Sequence, residues 1–466
     1  MGSNATLNPM IDQENTSYRR ILRIALPMVV QGLIFAAMLL TDRIFVSHYD
    51  LVSFAAVGTA GDLALAIGFF FNGTIAFAND MVAQYYGAER KNMLASPVWA
   101  GLFLALVFGA FMIITLPISR EFFALPFFDH SELLVQEEKT YFSYMIVMQS
   151  VGLIQFALVA FFIGRGKTLF SMIVAVVGNL VNIVMDYFLI FGNGIFPEMG
   201  IAGAGLASVL GVITSVTFAI IFFLFASREF KGILRPRFEP DIIKRMLKFG
   251  VPAGLKLGLE ATGYAFLLIA LGKFGDATVA AAGIGYGLQN FVYMPVVSMA
   301  TAGAVVVAQE RGANRLHNLN VIVRRVLILT VSYASIMLLI FVLIPDFLIA
   351  LYGSGEEHLD LELLDETKRI ARYFLMITGL WLIPDAFFNV YMQALKALGD
   401  GRYLSSRIAV TVLFTMILPP LILMNFTGEW VQYAIYLTAV AYVVILWVLF
   451  NARYRSGKWK GHKVID

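Results

Sequence analysis

Apolar residues along this chain fall into twelve runs, near 21–45, 54–83, 92–117, 139–163, 168–191, 201–226, 246–272, 276–308, 322–352, 370–397, 403–424 and 430–451. Each has about the 20 residues a helix needs to cross the hydrocarbon of a bilayer. The pattern predicts an all-α integral membrane protein of twelve transmembrane helices. One run carries a second signal. In VVGNLVNIVMDYFLIFG (176–192) the polar residues Asn179, Asn182 and Asp186 are three, four and seven apart. A helix gathers them on one face and covers the rest with Val, Ile, Leu, Met and Phe, so the polar face reads as an inward-facing site.

An even number of spans puts both termini on one side. Most of the 34 Lys and Arg lie in the N-terminal segment, the even-numbered connections and the tail, with a dense group between Arg228 and Lys248. The positive-inside rule then places both termini in the cytoplasm. The opposite loops are acidic or neutral, as in GSGEEHLDLELLDE (353–366). The two halves also repeat: IALP (24–27) aligns with FGVP (249–252), AAVG (55–58) with AAGI (281–284), and VAQYYGAER (82–90) with VAQERGANR (307–315), at an offset of 225 or 226. Six spans per half enter the membrane in the same direction, giving a parallel repeat of two pseudo-symmetric six-helix lobes. The expected organisation is a cytoplasmic segment (1–20), an N-lobe (21–226), a cytoplasmic inter-lobe loop (227–245), a C-lobe (246–452) and a basic cytoplasmic tail (453–466). Substrate is expected to pass between the lobes.

Composition narrows the chemistry. The chain is 59% hydrophobic and 14% charged, with a mean hydropathy of +0.80, well beyond soluble domains. Its net charge of +3 is accounted for by topology, which leaves no basic surface to assign to nucleic acid. With no cysteine, disulfides, thiolate nucleophiles and iron–sulfur clusters are excluded. The five histidines form no ligand-spaced cluster. The first 18 residues are polar, so the first span itself is expected to direct membrane entry. RGKT (165–168) resembles the end of a phosphate loop, but Phe161 stands where that loop needs glycine, so no nucleotide is implied. GIGYG (283–287) lies within an apolar span, where glycine serves close helix approach. The HExxH and GxSxG motifs are absent.

The buried acids carry the chemistry that remains. A carboxylate at the bilayer centre costs about 2.5–3.5 kcal/mol on insertion scales, so Asp186 needs a compensating partner. A second acid, Asp42 in LLTDRIFV (39–46), lies towards the outer end of the first span. Two carboxylates in one pocket either raise one pKa or hold a cation between them, and both outcomes make a cation or proton site. Helix-to-helix hydrogen bonding is the alternative for Asn179. In GLKLGLEATGYAF (254–266), Lys256 and Glu260 share a helix face, either as an internal ion pair or as a binding site. Asp385 follows Pro384 in LWLIPDAFF (380–388), where carbonyls freed by the proline suit ion binding. Pro27 reads either as a hinge in the helix of Asp42 or as a first-turn proline. Asp62 and Asp80 say less, Asp80 being placed near the cytoplasmic surface.

Taken in order, the six-plus-six layout, the paired VAQ-x-x-GA signatures, GNLVNIVMDYFLIFG, the acid in span one and QALKALGD (393–400) resemble the multidrug and toxic compound extrusion (MATE) family, within the wider family of drug, oligosaccharide and lipid exporters. The resemblance implies an N-lobe cation site at Asp42, Asn182, Asp186 and Ser208, where threonine is usual at the last position. Its NorM-type branch adds an acid in span seven and another in span ten, matching Glu260 and Asp385. Trp381 replaces the usual tyrosine four residues before Asp385, and Lys256 is an unusual neighbour for Glu260. The implied activity is antiport: drugs, organic cations or other amphipathic small molecules leave the cell as Na+ or H+ enters. The protein is then a monomer of the cytoplasmic (inner) membrane, without nucleotide or cofactor beyond a Na+ bound at Asp42, Asn182 and Asp186. Two rivals stand beside it. One is a flippase or exporter of a secreted metabolite or lipid-linked precursor. The other is an intramembrane enzyme using Asp42 and Asp186 as acid and base, against which the repeat and the missing nucleophile weigh.

Overall fold

The computed structural model describes residue 14 and residues 16–125, 130–226, 228–230, 232–352 and 361–465. Most of the expected N-terminal segment and the first eight residues of the acidic 353–366 loop lie outside the described residues. The described chain is helical. Its long helices are α1 (Tyr18–Tyr49), α2 (Leu51–Gly87), α3 (Ser96–Ser119), α4 (Glu132–Gly164), α5 (Thr168–Phe191), α6 (Ile201–Ala226), α7 (Pro240–Gly272), α8 (Asp276–Gly312) and α9 (Asn318–Leu343). A short α10 (Pro345–Tyr352) precedes α11 (Leu361–Ala397). The eleventh span is α12 (Gly401–Thr411), a π-helical turn (Val412–Ile417) and α13 (Leu418–Leu423), and α14 (Trp430–Arg455) is the last. Among the described residues, 12 helical stretches are long and apolar enough to cross a membrane.

Local sequence explains several boundaries. Asp50 alone separates α1 from α2, and its carboxylate accepts the Ser53 N–H at 2.8 Å as the N-cap of α2. The π-helical turn comes just before Pro419 and Pro420, which bring no N–H to the carbonyls one turn back. Pro27 lies well inside α1, so it is no first-turn proline. Pro252, Pro295 and Pro384 likewise lie inside α7, α8 and α11.

The chain divides into two compact units. One holds the chain up to Leu26 together with Leu259–Lys463, and the other holds Pro27–Gly258 with the final residues from Val464. The divisions fall inside α1, at Pro27, and inside α7, six residues after Pro252, rather than in the 227–245 connection. Packing accounts for this. In the first unit, the foot of α1 is held to α8: Arg20 donates to Gln309 Oε1 at 2.6 Å and lies 3.5 Å from Glu310 Oε1. Glu310 is fully buried, and it also accepts two bonds from Arg315, at 2.6 and 2.7 Å, and one from Asn318 at 2.9 Å. A buried carboxylate with this many donors is compensated. In the second unit, the first half of α7 meets α2 backbone to backbone. A Cβ on Gly254 would sit 2.0 Å from the Phe70 carbonyl oxygen, and one on Gly250 would sit 2.5 Å from that of Thr74. The most enclosed helix of this unit is α4, whereas α8 and α11 are the most enclosed of the other.

Candidate cation site

The acid-bearing face read from residues 176–192 is formed by α5 in the Pro27–Gly258 unit. Asp186, Asn182, Asp42 from α1 and Ser208 from α6 are all buried, none more than 5% exposed. Small residues let α5 and α6 approach closely at this point. A Cβ on Gly211 would lie 2.8 Å from the Gly178 carbonyl oxygen and 2.9 Å from the Asn182 Cβ. With its amide turned to satisfy both sides, Asn182 donates from Nδ2 to Asp42 Oδ1 at 3.1 Å, and its Oδ1 accepts from the Ser208 hydroxyl and N–H, each at 3.3 Å. The Asp42 and Asp186 carboxyl groups lie close enough for each to act on the other electrostatically. Two carboxylates held together in a buried site favour a proton on one of them or a cation between them.

That geometry suits a proton or a cation. Asp186 Oδ1 is buried without a hydrogen-bond donor among the described residues, an oxygen that a desolvated Na+ could use alongside Asn182 and Ser208. Asn179 is half-buried, and among the described residues no hydrogen bond joins it to the cluster. Tyr141 of α4 is a neighbour that sequence reasoning missed. It is buried and lies within the electrostatic field of Asp42 and Asp186.

A second acidic cluster lies in the other unit. Glu260 of α7 accepts from the Tyr442 hydroxyl of α14 at 2.8 Å. Asp385 of α11, 1% exposed, accepts at Oδ1 from Asn389 Nδ2 at 2.9 Å. Tyr264 and Tyr293 feel the charges of both acids, and Tyr264 accepts at its hydroxyl from Gln289 Nε2 at 3.1 Å. Trp381 is buried with its ring 6.1 Å from that of Tyr293. Thus Glu260, Asp385 and Trp381 gather around tyrosines that the sequence did not single out. Lys256 is buried in the first half of α7 and is engaged there.

Twelve membrane-length helices in two related halves, with acids buried inside several of them, define a multi-span membrane transporter. The MatE family pattern matches residues 27–188 and 252–421. The chain is 25% identical over 468 residues to "Probable multidrug resistance protein NorM" of Thermotoga maritima, covering 96% of this chain and 94% of that one. It is also 25% identical over 389 residues to the protein of the same description from Neisseria meningitidis serogroup B, covering 81% of each. Its fold superimposes on a MOP superfamily transporter from Pyrococcus furiosus with a TM-score of 0.86 at 20% identity, covering 97% of this chain and 99% of that one. An outward-facing multidrug resistance MATE family transporter gives a TM-score of 0.84 at 19% identity, covering 96% and 98%. The chain belongs to the MatE family.

Proposed function

We propose that this protein is a cation-coupled antiporter that exports drugs, organic cations or other amphipathic small molecules across the cytoplasmic membrane by alternating access, as Na+ or H+ enters. The observation that carries this reading is the buried set Asp42, Asp186, Asn182 and Ser208, in which Asn182 hydrogen-bonds to both Asp42 and Ser208. It holds titratable and cation-binding oxygen inside membrane helices, where an uncompensated charge is costly. Relatives described as multidrug resistance proteins support the export half of the reading. Ion loading at Asp42 and Asp186 favours one conformation of α1, whose Pro27 serves as the hinge, and the differential affinity of the two conformations for the ion is what couples it to substrate. The energy comes from the ion gradient, at about 2.3 kcal/mol per charge per 100 mV. Glu260, Asp385 and Trp381 form a second site for cation or substrate, and the protein works as a monomer.

The deciding experiment is dye efflux from proteoliposomes with Na+ and H+ gradients imposed separately. One gradient is expected to drive efflux, and equal leakage under both and under neither would refute antiport. Topology gives an independent check. Reporter tags at either terminus and in the 227–245 connection are all expected on the cytoplasmic side, because basic residues crowd these segments. A terminus found outside would overturn the orientation.

A further inference from the structure

Helices α1 and α2 carry an ion pair beside the cation site. Arg43, the residue after Asp42, donates from Nη2 to Asp62 Oδ1 at 2.9 Å. Both residues belong to the Pro27–Gly258 unit. Their side chains are accessible, 46% and 65% exposed. At 1.5 Å per residue, Arg43 stands about 9 Å from the end of α1 at Tyr49, and Asp62 about 16 Å into α2 from Leu51. Both lie within membrane-length segments.

An exposed charge pair at that depth meets either lipid or water. A lipid-facing surface in this protein looks like α3, which presents Leu106, Ile114 and Ile118 at 63%, 75% and 79% exposure. The α2 face that carries Asp62 instead exposes the small residues Ala55 and Thr59, spaced four and three residues along the helix, while Leu40 and Ile44 are exposed beside Arg43 on α1, so the pair has both polar and apolar surface around it. Charges at membrane depth belong in water-filled surroundings, and this face fits that rule.

The geometry points to Arg43 and Asp62 as a recognition site for the headgroup of zwitterionic amphiphiles, Arg43 receiving the carboxylate and Asp62 the cationic group. This rests on the export reading above. Only one of the five N–H donors of Arg43 goes to Asp62 among the described residues, which leaves the planar fork free for a second carboxylate. An ion pair between accessible side chains contributes little net stability, so exchanging one partner for another costs little. A zwitterion replaces both of its contacts at once, whereas a simple cation gains Asp62 and is repelled by Arg43. The pair also shares a wall with the cation site. Tyr141 packs against Gly61, where a Cβ would lie 3.1 Å from its ring, and it feels the charges of Asp42, Asp186, Arg43 and Asp62 alike.

A matched dye pair tests this. Tetramethylrhodamine carries a free carboxylate and is a zwitterion, and its methyl ester is a cation of nearly the same shape. Their binding to the full chain in lipid nanodiscs, without an ion gradient, is read by fluorescence anisotropy. The parent is expected to bind the acid about tenfold more tightly than the ester, about 1.4 kcal/mol. Arg43→Gln is expected to erase that preference by weakening the acid alone, and Asp62→Asn to weaken both dyes. The double variant, which leaves no lone charge, is expected to bind both dyes equally with an unchanged Tm. Equal affinity of the parent for the two dyes, failure of the parent to bind either, or a preference that survives in the double variant would each overturn the headgroup site. Efflux measured in parallel separates the two readings. Gradient-driven export of the ester without an acid preference in binding overturns the headgroup site alone, and an intact preference without gradient-driven export overturns antiport alone.

Discussion

Asp186→Asn is expected to leave the protein folded and to lower gradient-driven efflux by on the order of 100-fold, a coupling loss of about 2.7 kcal/mol. The fold survives because asparagine keeps the shape of a fully buried side chain and adds an N–H that can donate to the Asp42 carboxylate. That amide can satisfy Asp42 without any ion arriving. The exchange of proton or Na+ at the pair then stops, and so does the conformational bias the ion supplied. Asp42→Asn is expected to act in the same way, because the two carboxyl groups act on one another as a pair. Dye binding at equilibrium is expected to persist in both variants. Efflux from proteoliposomes, measured across a range of external pH and Na+, reads the effect. Parent rates with unchanged ion dependence in both variants would make the polar face of α5 structural, and the mechanism proposed here would fail.

How much of this was visible in the sequence depends on the distance over which each feature is encoded. Membrane spans are local runs of apolar residues, so their number and order were legible, although α1 and α2 extend beyond the runs at 21–45 and 54–83 as they leave the apolar layer. Asn182 and Asp186 were legible for the same reason, since a four-residue spacing is a statement about one helix. Asn389, four residues after Asp385, carried the same signal and was overlooked. Ser208 came only through family resemblance, because nothing in GAGLAS says which helix lies opposite. Tyr442 and Tyr293 were out of reach. Each is one of 19 tyrosines, and its role depends on a partner in another span. Asp62 was set aside for a related reason, because Arg43 meets it only after the chain reverses at Asp50. The unit boundaries were hidden too. They depend on glycine contacts such as that of Gly254 with Phe70, between segments far apart in the chain.

That contact sets up the second large effect. Gly254→Ala is expected to cost about 3 kcal/mol, the upper end of the usual overpacking range. The added methyl would stand 2.0 Å from the Phe70 carbonyl oxygen, and also 3.3 Å from the Thr74 hydroxyl. No side-chain rotation relieves it, because the obstacle is backbone, so α2 and α7 must move apart and lose the packing on either side. Gly258, one turn further along the same helix, has nothing within 4 Å of where its Cβ would be. Gly258→Ala is therefore expected to be neutral or to stabilise by up to about 1 kcal/mol, the helix-propensity gain of alanine over glycine. Thermal unfolding of the two variants in the same detergent compares them directly, with the yield of monodisperse protein as a second readout. A Gly254→Ala protein as stable as Gly258→Ala would show that α7 is not seated on α2. The first half of α7 would then have no packing reason to belong to the unit that carries the cation site.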